Sequence, residues 1–252
     1  MALTRRHKLV IAALLIYWPL LFIATHLPVI PKWVGRMGVS DKTLHSMAYL
    51  VLVFVLWSVV FYDRQVRWNR PGVWLVLVVV VFYGVADESL QAYVGRNPDV
   101  WDFIADLAGA VAGLIILTFC GFYSSATLVA GIMIFTFSNL SKLKVSEILP
   151  VPGSLFYLTA YAGLSVLWAR HVHYHLAARP PSVRWLCIAA SGPAGVLLVE
   201  QLTSIAYSGN FSVARLTAGA VGIIIVLLVG MIVAILRKKA ESPRRRDEIT
   251  GS

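Results

Sequence analysis

The stretch YGVADESLQAYVGRNPDVWDFIADLAG, Tyr83–Gly109, places Asp87, Glu88, Gln91, Arg96, Asp99, Asp102 and Asp106 between two strongly apolar runs. It reads as the end of one helix, a tight turn and the start of the next. What surrounds it decides the fold. The chain is 59% hydrophobic and 13% charged, with a mean hydropathy of +0.78. That composition excludes an ordinary soluble domain. Apolar runs that approach ~20 residues mark transmembrane helices, because ~20 residues at ~1.5 Å rise span the hydrocarbon core.

Eight such runs follow one another: Leu9–Thr25, Leu44–Tyr62, Val73–Tyr93, Asp102–Phe122, Ala126–Phe137, Ser154–Arg170, Arg184–Ser204 and Val213–Leu236. The expected fold is an all-α, polytopic transmembrane helical bundle. The first run follows Arg5, Arg6 and Lys8 as a signal peptide would, but it is long. It carries Tyr17, Trp18 and Phe22 near its end, and no small-residue cleavage site follows, so we read it as a retained helix.

The formal net charge of +10 does not point to nucleic acid. With eight spans and a cytoplasmic N-terminus, 15 of the 22 basic residues fall on the inner side and seven on the outer. That is the positive-inside asymmetry, and it predicts an integral cell-membrane protein with both termini cytoplasmic. The eight tryptophans fall mostly at run ends, as an interfacial belt requires. Cys120 and Cys187 form no disulfide framework and no metal spacing.

The two halves resemble each other. HSMAYLVLVFVLW (His45–Trp57) aligns with YLTAYAGLSVLWA (Tyr157–Ala169), which sets Tyr49 opposite Tyr161. LAGAVAGLII (Leu107–Ile116) aligns with LTAGAVGIII (Leu216–Ile225) once a gap is allowed, and Glu88 falls opposite Glu200. Four helices in each half make a parallel repeat about an axis along the membrane normal. The expected division is 1–122, carrying the polar site; 123–237, a degenerate second four-helix unit; and 238–252, a basic cytoplasmic tail. The second half has Tyr157 where the first has His45, and no counterpart of Arg96, Asp102 or Asp106.

In this topology Asp41, Lys42, His45, Glu88, Gln91, Arg96, Asp102 and Asp106 all lie at the outer boundary or just below it. Asp41 and His45 are four residues apart on one helix face, with Tyr49 below them. Glu88 and Gln91 are three apart, and Asp102 and Asp106 are four apart. Gly109 and Gly113 continue a small stripe that lets helices approach closely. The second and fourth helices turn their N-termini to this zone, which favours anions.

These residues also carry a family resemblance. SDKTLHSMAYL, then YG, ADESLQ, VGRNPDVWD and DLAGAVAG resemble the VanZ-like family of bacterial membrane proteins. The family's ordered pattern is filled by Asp41, Lys42, His45, Tyr49, Tyr83, Gly84, Glu88, Gln91, Gly95, Arg96, Asp102, Gly109 and Gly113. Asp106 stands where the family usually has Asn. The resemblance covers about the first 120 residues. It implies a cell-envelope role, the founding name coming from glycopeptide-resistance clusters, and it implies no agreed activity.

Two function classes are in play. In the first, an outward pocket binds or processes a lipid-linked anionic, phosphate-bearing headgroup. Asp41, His45, Glu88 and Asp102 would serve as general acids and bases, while Lys42, Gln91, Arg96, Asp106 and Tyr49 would hold the substrate. An Asp/Glu/His set also suits a divalent cation that bridges to phosphate. The partners would then be membrane lipids or a lipid-linked envelope precursor, with no nucleic acid.

In the second class, a non-catalytic accessory or assembly protein uses the same residues only to lock its helices. Asp41 caps its helix with Ser40, Asp99 and Asp102 form a capping-box-like start, and Glu88 pairs with Arg96. Asp87 snorkels, Gln91 bridges two helices, and Glu200 pairs with Arg215. His171, His173 and His175 form a headgroup-level loop in preference to a metal site. Transport is the weaker third class, because no inward acidic set matches the outward one.

Overall fold

The structure, a computed structural model, describes residues 3–26, 40–93, 95, 98–140, 153–209 and 211–250. Eight α-helices and no strand occur among them. They are α1 (Arg5–Thr25), α2 (Asp41–Val60), α3 (Pro71–Tyr93), α4 (Val100–Phe119), α5 (Phe122–Phe135), α6 (Gly153–His175), α7 (Val183–Ser208) and α8 (Val213–Thr250). A π-helical turn, Thr136–Leu140, continues α5.

Seven of the eight, α5 only together with the π-helical turn that continues it, are long and apolar enough to cross a membrane. The exception is α6, in which Gly, Ser, Thr and Tyr dilute the apolar residues and Arg170 ends the run. The last helix runs on through the basic tail to Thr250. The chain divides into two compact units, the first built on residues 1–129 and the second on 130–139 and 144–252.

In the first unit α2 is the central helix: 61% of its apolar window is buried, against 11% for α1. It begins at Ser40, whose hydroxyl accepts the Thr43 N–H at 3.1 Å. That cap satisfies one of the orphan donors that every helix start exposes. The α4 start is made the same way, Asp99 accepting the Trp101 N–H at 2.9 Å. Pro71 opens α3, where its missing N–H costs nothing. Gly95, between α3 and α4, sits at φ +80, a left-handed conformation that a side chain would strain.

Packing in lipid is driven by close contact rather than by hydrophobic transfer. The tightest contact is α2 on α4. A Cβ added at Gly109 would overlap the backbone carbonyl of Ser46, and one at Gly113 would lie 3.2 Å from the Leu50 carbonyl. Ser46 donates across the same seam to the Ala105 carbonyl at 2.8 Å. Below it Tyr49, Leu52, Val53, Trp57, Val73, Val80, Ala110 and Leu114 form a closed core. At the other end of α1 the Arg6 guanidinium pairs with Asp63 at 2.8 Å and lies 4.5 Å from the Tyr62 ring centre. There the 63–70 connection is pinned by the Val66 N–H to the Leu117 carbonyl, 3.0 Å.

In the second unit α8 packs on α6 and α7 around Tyr161, Leu164, Val172, Ala189, Leu197, Ile223 and Leu227. Gly222 repeats the close approach, since an added Cβ would overlap the Leu158 carbonyl.

Candidate functional site

The α2–α4 seam sets the site. Because Gly109 lets α4 press on α2 at Ser46, the residue one turn earlier on α4, Asp106, meets the residue before Ser46. The His45 Nδ1 lies 2.9 Å from Asp106 Oδ1, with both residues buried. His45 therefore turns across the interface to Asp106, a partner that the four-residue spacing to Asp41 did not show. Asp41 stays near: ligand atoms of Asp41, His45 and Asp102 all lie within 4.8 Å of one another, Asp41 being the exposed member.

Lys42, one residue earlier, reaches the α4 start. Its Nζ donates to Asp99 Oδ2 at 2.8 Å and to Asp102 Oδ1 at 3.1 Å. The Lys42 ammonium, and after it the Trp101 N–H, hold the Asp99 carboxyl below the usual carboxylate range. Asp99 thus caps α4 as the spacing predicts, but the capping box is not completed by Asp102: the Asp99 N–H goes to Glu88, and Asp102 accepts from Lys42, which clamps α2 to α4.

Glu88 enters from α3 and is 8% exposed. One oxygen, Oε2, accepts the Asp99 N–H at 3.0 Å, tying the end of α3 to the start of α4. The other, Oε1, is buried with no hydrogen-bond partner among the described residues, and Asp106 Oδ2 is in the same condition. A buried acceptor left unpaired costs ~1–3 kcal/mol, and more when it is charged. Ligand atoms of His45, Glu88 and Asp106 lie within 4.8 Å of one another, so these three could hold a metal ion. Arg96, the expected partner of Glu88, lies outside the described residues. One turn deeper, the hydroxyls of Tyr49 and Tyr83 are also buried and unpartnered among the described residues, their rings 5.8 Å apart.

One expectation on α3 is overturned. Asp87 does not snorkel: it is 1% exposed, accepts from the Thr25 hydroxyl at 2.7 Å and lies 3.5 Å from the His26 ring. It anchors the end of α1 to α3. The Gln91 amide donates back along α3 to Asp87 Oδ2 at 3.1 Å, with no hydrogen bond to another helix among the described residues. Thr25, His26 and Asp87 were missed because nothing in the spacing of α1 and α3 shows which faces meet.

Asp41, Lys42, His45, Glu88, Asp102 and Asp106 are thus brought to one end of the first unit, with Tyr49 one turn below. Gln91 belongs to the neighbouring Asp87 cluster.

The polar centre of the second unit is smaller. Tyr161 donates to Glu200 Oε2 at 2.5 Å, and the Arg215 guanidinium faces Oε1 at 3.5 Å. Arg215 also donates to the Ser204 hydroxyl at 2.8 Å and to the Ser138 carbonyl at 3.2 Å. The expected Glu200–Arg215 pair is present, and Tyr161 is its unforeseen third member. The three histidines lie in the last turns of α6 and not in a loop. His171 stacks between Trp168 and His175, its ring 4.8 Å from each.

The family model described as VanZ/LLP1 matches residues 9–121, the stretch that holds α1 to α4 and every residue of the clustered site. No curated protein and no solved structure matches the chain.

Proposed function

We propose that this VanZ-like multi-pass membrane protein uses the end of its first unit to bind or process a lipid-linked, phosphate-bearing headgroup at the outer face of the cell membrane. The observation that carries the reading is the convergence of Lys42, His45, Glu88, Asp102 and Asp106 from three helices on one buried cluster that is open at Asp41.

The N-termini of α2 and α4 both lie at this end, so their dipoles favour an anion there. Lys42 supplies a positive charge at the exposed rim. The buried His45–Asp106 pair has the form of an imidazole oriented by a carboxylate, which suits proton transfer to or from a headgroup oxygen. Asp41 and Asp102 flank that imidazole, and Glu88 offers a second carboxylate. In this reading the positive-inside asymmetry places the cluster on the outer side, with both termini in the cytoplasm. The second unit is a duplicate of the first that kept the helix frame, Gly222 on Leu158 as Gly109 is on Ser46, and lost the headgroup chemistry.

A second reading rests on a specific observation. Lys42, Asp99, Asp102, His45 and one oxygen each of Glu88 and Asp106 satisfy one another, as a purely structural lock would. Native mass spectrometry of the purified full-length protein separates the two. The site reading expects the wild type to retain a phosphate-bearing lipid that His45→Ala and Glu88→Gln lose while remaining folded. The lock reading expects all three to carry the same lipids, or the variants to unfold.

A further inference from the structure

We infer that His45, Glu88 and Asp106 form a binding site for one divalent cation of the manganese or zinc class. Three independent helices supply the donors, and their ligand atoms already lie within 4.8 Å of one another. Clustering alone would not suffice. The second observation is that Glu88 Oε1 and Asp106 Oδ2 are buried with no hydrogen-bond partner among the described residues, in side chains only 8% and 1% exposed. Two such oxygens beside one imidazole are acceptors without a close donor among the described residues, the Tyr49 hydroxyl near Asp106 making no short hydrogen bond.

The charges point the same way. Lys42, the cation nearest by position, is committed to Asp99 and Asp102 and lies on the exposed side of the cluster. That leaves two buried carboxylates facing one histidine inside apolar helices, where uncompensated charge is costly. One imidazole with two carboxylates suits Mn²⁺ or Zn²⁺ better than Ca²⁺ or Mg²⁺, which favour all-oxygen shells. Asp41 and Asp102 share His45 in the neighbouring set, and the exposure of Asp41 gives an ion its way in. Three protein donors leave coordination positions open.

The open positions also answer a difficulty in the headgroup reading, on which any contact of the metal with phosphate rests. A phosphate approaching so many carboxylates is repelled unless a cation stands between them. A metal oxygen contact to phosphate would remove that repulsion and polarise the phosphorus–oxygen bonds.

The test uses the full-length protein in detergent, stripped with a chelator and titrated with Mn²⁺ alone, then with inorganic phosphate added. We expect one tightly bound Mn²⁺ per chain, seen as loss of the free aqua-ion electron paramagnetic resonance signal. Glu88→Gln and Asp106→Asn should each weaken it by roughly tenfold to 100-fold or more, the scale set by losing even indirect ligand support. Glu200→Gln, in the other unit, should leave it unchanged. Free Mn²⁺ in the presence of folded wild type overturns the site, and that result also stands if both variants fail to fold. It is the result expected if Arg96 fills the cluster instead. Mn²⁺ binding that ignores Glu88→Gln and Asp106→Asn overturns it as well. Tight Mn²⁺ binding with no phosphate effect keeps the metal site and counts against the headgroup reading alone.

Discussion

Each unit buries a tyrosine, Tyr49 in the first and Tyr161 in the second, and treats its hydroxyl differently. Tyr161 donates to Glu200 at 2.5 Å, and the same carboxylate faces Arg215 at 3.5 Å. Tyr49 has no hydrogen-bond partner among the described residues, nor have Glu88 Oε1 and Asp106 Oδ2 nearby. One centre joins acid, hydroxyl and guanidinium into a local lock, although Gln201 beside it has no side-chain partner among the described residues. The other holds more carboxylates than its own donors satisfy. Polar groups retained at a cost in stability are the usual mark of a functional site, and groups that satisfy one another are the usual mark of a structural one. Each centre keeps a carboxylate oxygen with no hydrogen-bond partner among the described residues, Glu200 Oε1 included; what separates them is that Glu200 faces the Arg215 guanidinium, whereas among the described residues Glu88 and Asp106 have the His45 imidazole beside them.

The helix frame is where the units should behave alike, and where the largest effects are expected. Gly109→Ala and Gly222→Ala each drive a Cβ into a backbone carbonyl, of Ser46 and Leu158 respectively. Backbone cannot swing aside as a side chain can. Overpacking of this kind costs ~1–3 kcal/mol or more, which outweighs the ~1 kcal/mol helix-propensity gain of Ala over Gly. Both variants should lose most of their folded yield in detergent, measured by size-exclusion chromatography and tryptophan fluorescence melts. If one tolerates Ala and the other does not, the frames differ more than their contacts suggest.

The acids should part the units. Glu200→Gln leaves an acceptor for Tyr161 but removes the charge that faces Arg215, so a loss of ~1–3 kcal/mol is expected, the scale of a charged buried hydrogen bond. Glu88→Gln keeps an acceptor for the Asp99 N–H and removes a buried charge whose second oxygen has no described donor. Its melting temperature in chelator should stay level or rise. A large fall for Glu88→Gln would make it as structural as Glu200 and end the distinction. The tyrosines give a finer version. Tyr161→Phe should cost ~1–2 kcal/mol, whereas Tyr49→Phe should cost less, because among the described residues its hydroxyl makes no hydrogen bond as short as that of Tyr161 to Glu200.

The sequence carried much of this, unevenly. Helices were legible because apolar runs of membrane length have one physical reading, and α2 and α4 announced their starts through Ser40 and Asp99. The zone of the site was legible because carboxylates inside apolar runs are rare enough to point to themselves. The pairings were not. His45 has Asp41 four residues away on its own helix and Asp106 on another, and spacing sees only the first. The signal for the second was present in the glycines: Gly109 fixes the α2–α4 approach at Ser46, and that approach delivers Asp106 to His45. Asp87 was misread for the same reason. A helical wheel turns it away from Glu88 but cannot show that α1 ends there with Thr25 and His26. The sixth run is a helix too polar to count among the seven apolar spans; its Tyr157, Tyr161 and Ser165 are buried in the second unit, whereas Ser154, Thr159 and Gly163 are exposed.

The smallest effect belongs to the rim of the first centre and has no counterpart in the second. Lys42 and Asp99 are about half exposed, 47% and 41%, so solvent screens their attraction and the clamp adds little to stability. Its sign with pH is still definite. The Asp99 carboxyl is held below its ordinary value of 3.8, first by Lys42 and then by the Trp101 N–H. A group whose folded-state value is depressed stabilises the fold above its unfolded value and ceases to do so as pH falls through the folded one. The melting-temperature gap between wild type and Asp99→Asn should therefore be small and constant above pH 3.8 and should close below it. It should also shrink in high salt, which a buried link such as His45 to Asp106 would resist. A gap that persists in acid would mean that Asp99 acts through its cap on α4 alone, and the clamp between α2 and α4 would then rest on Lys42 and Asp102.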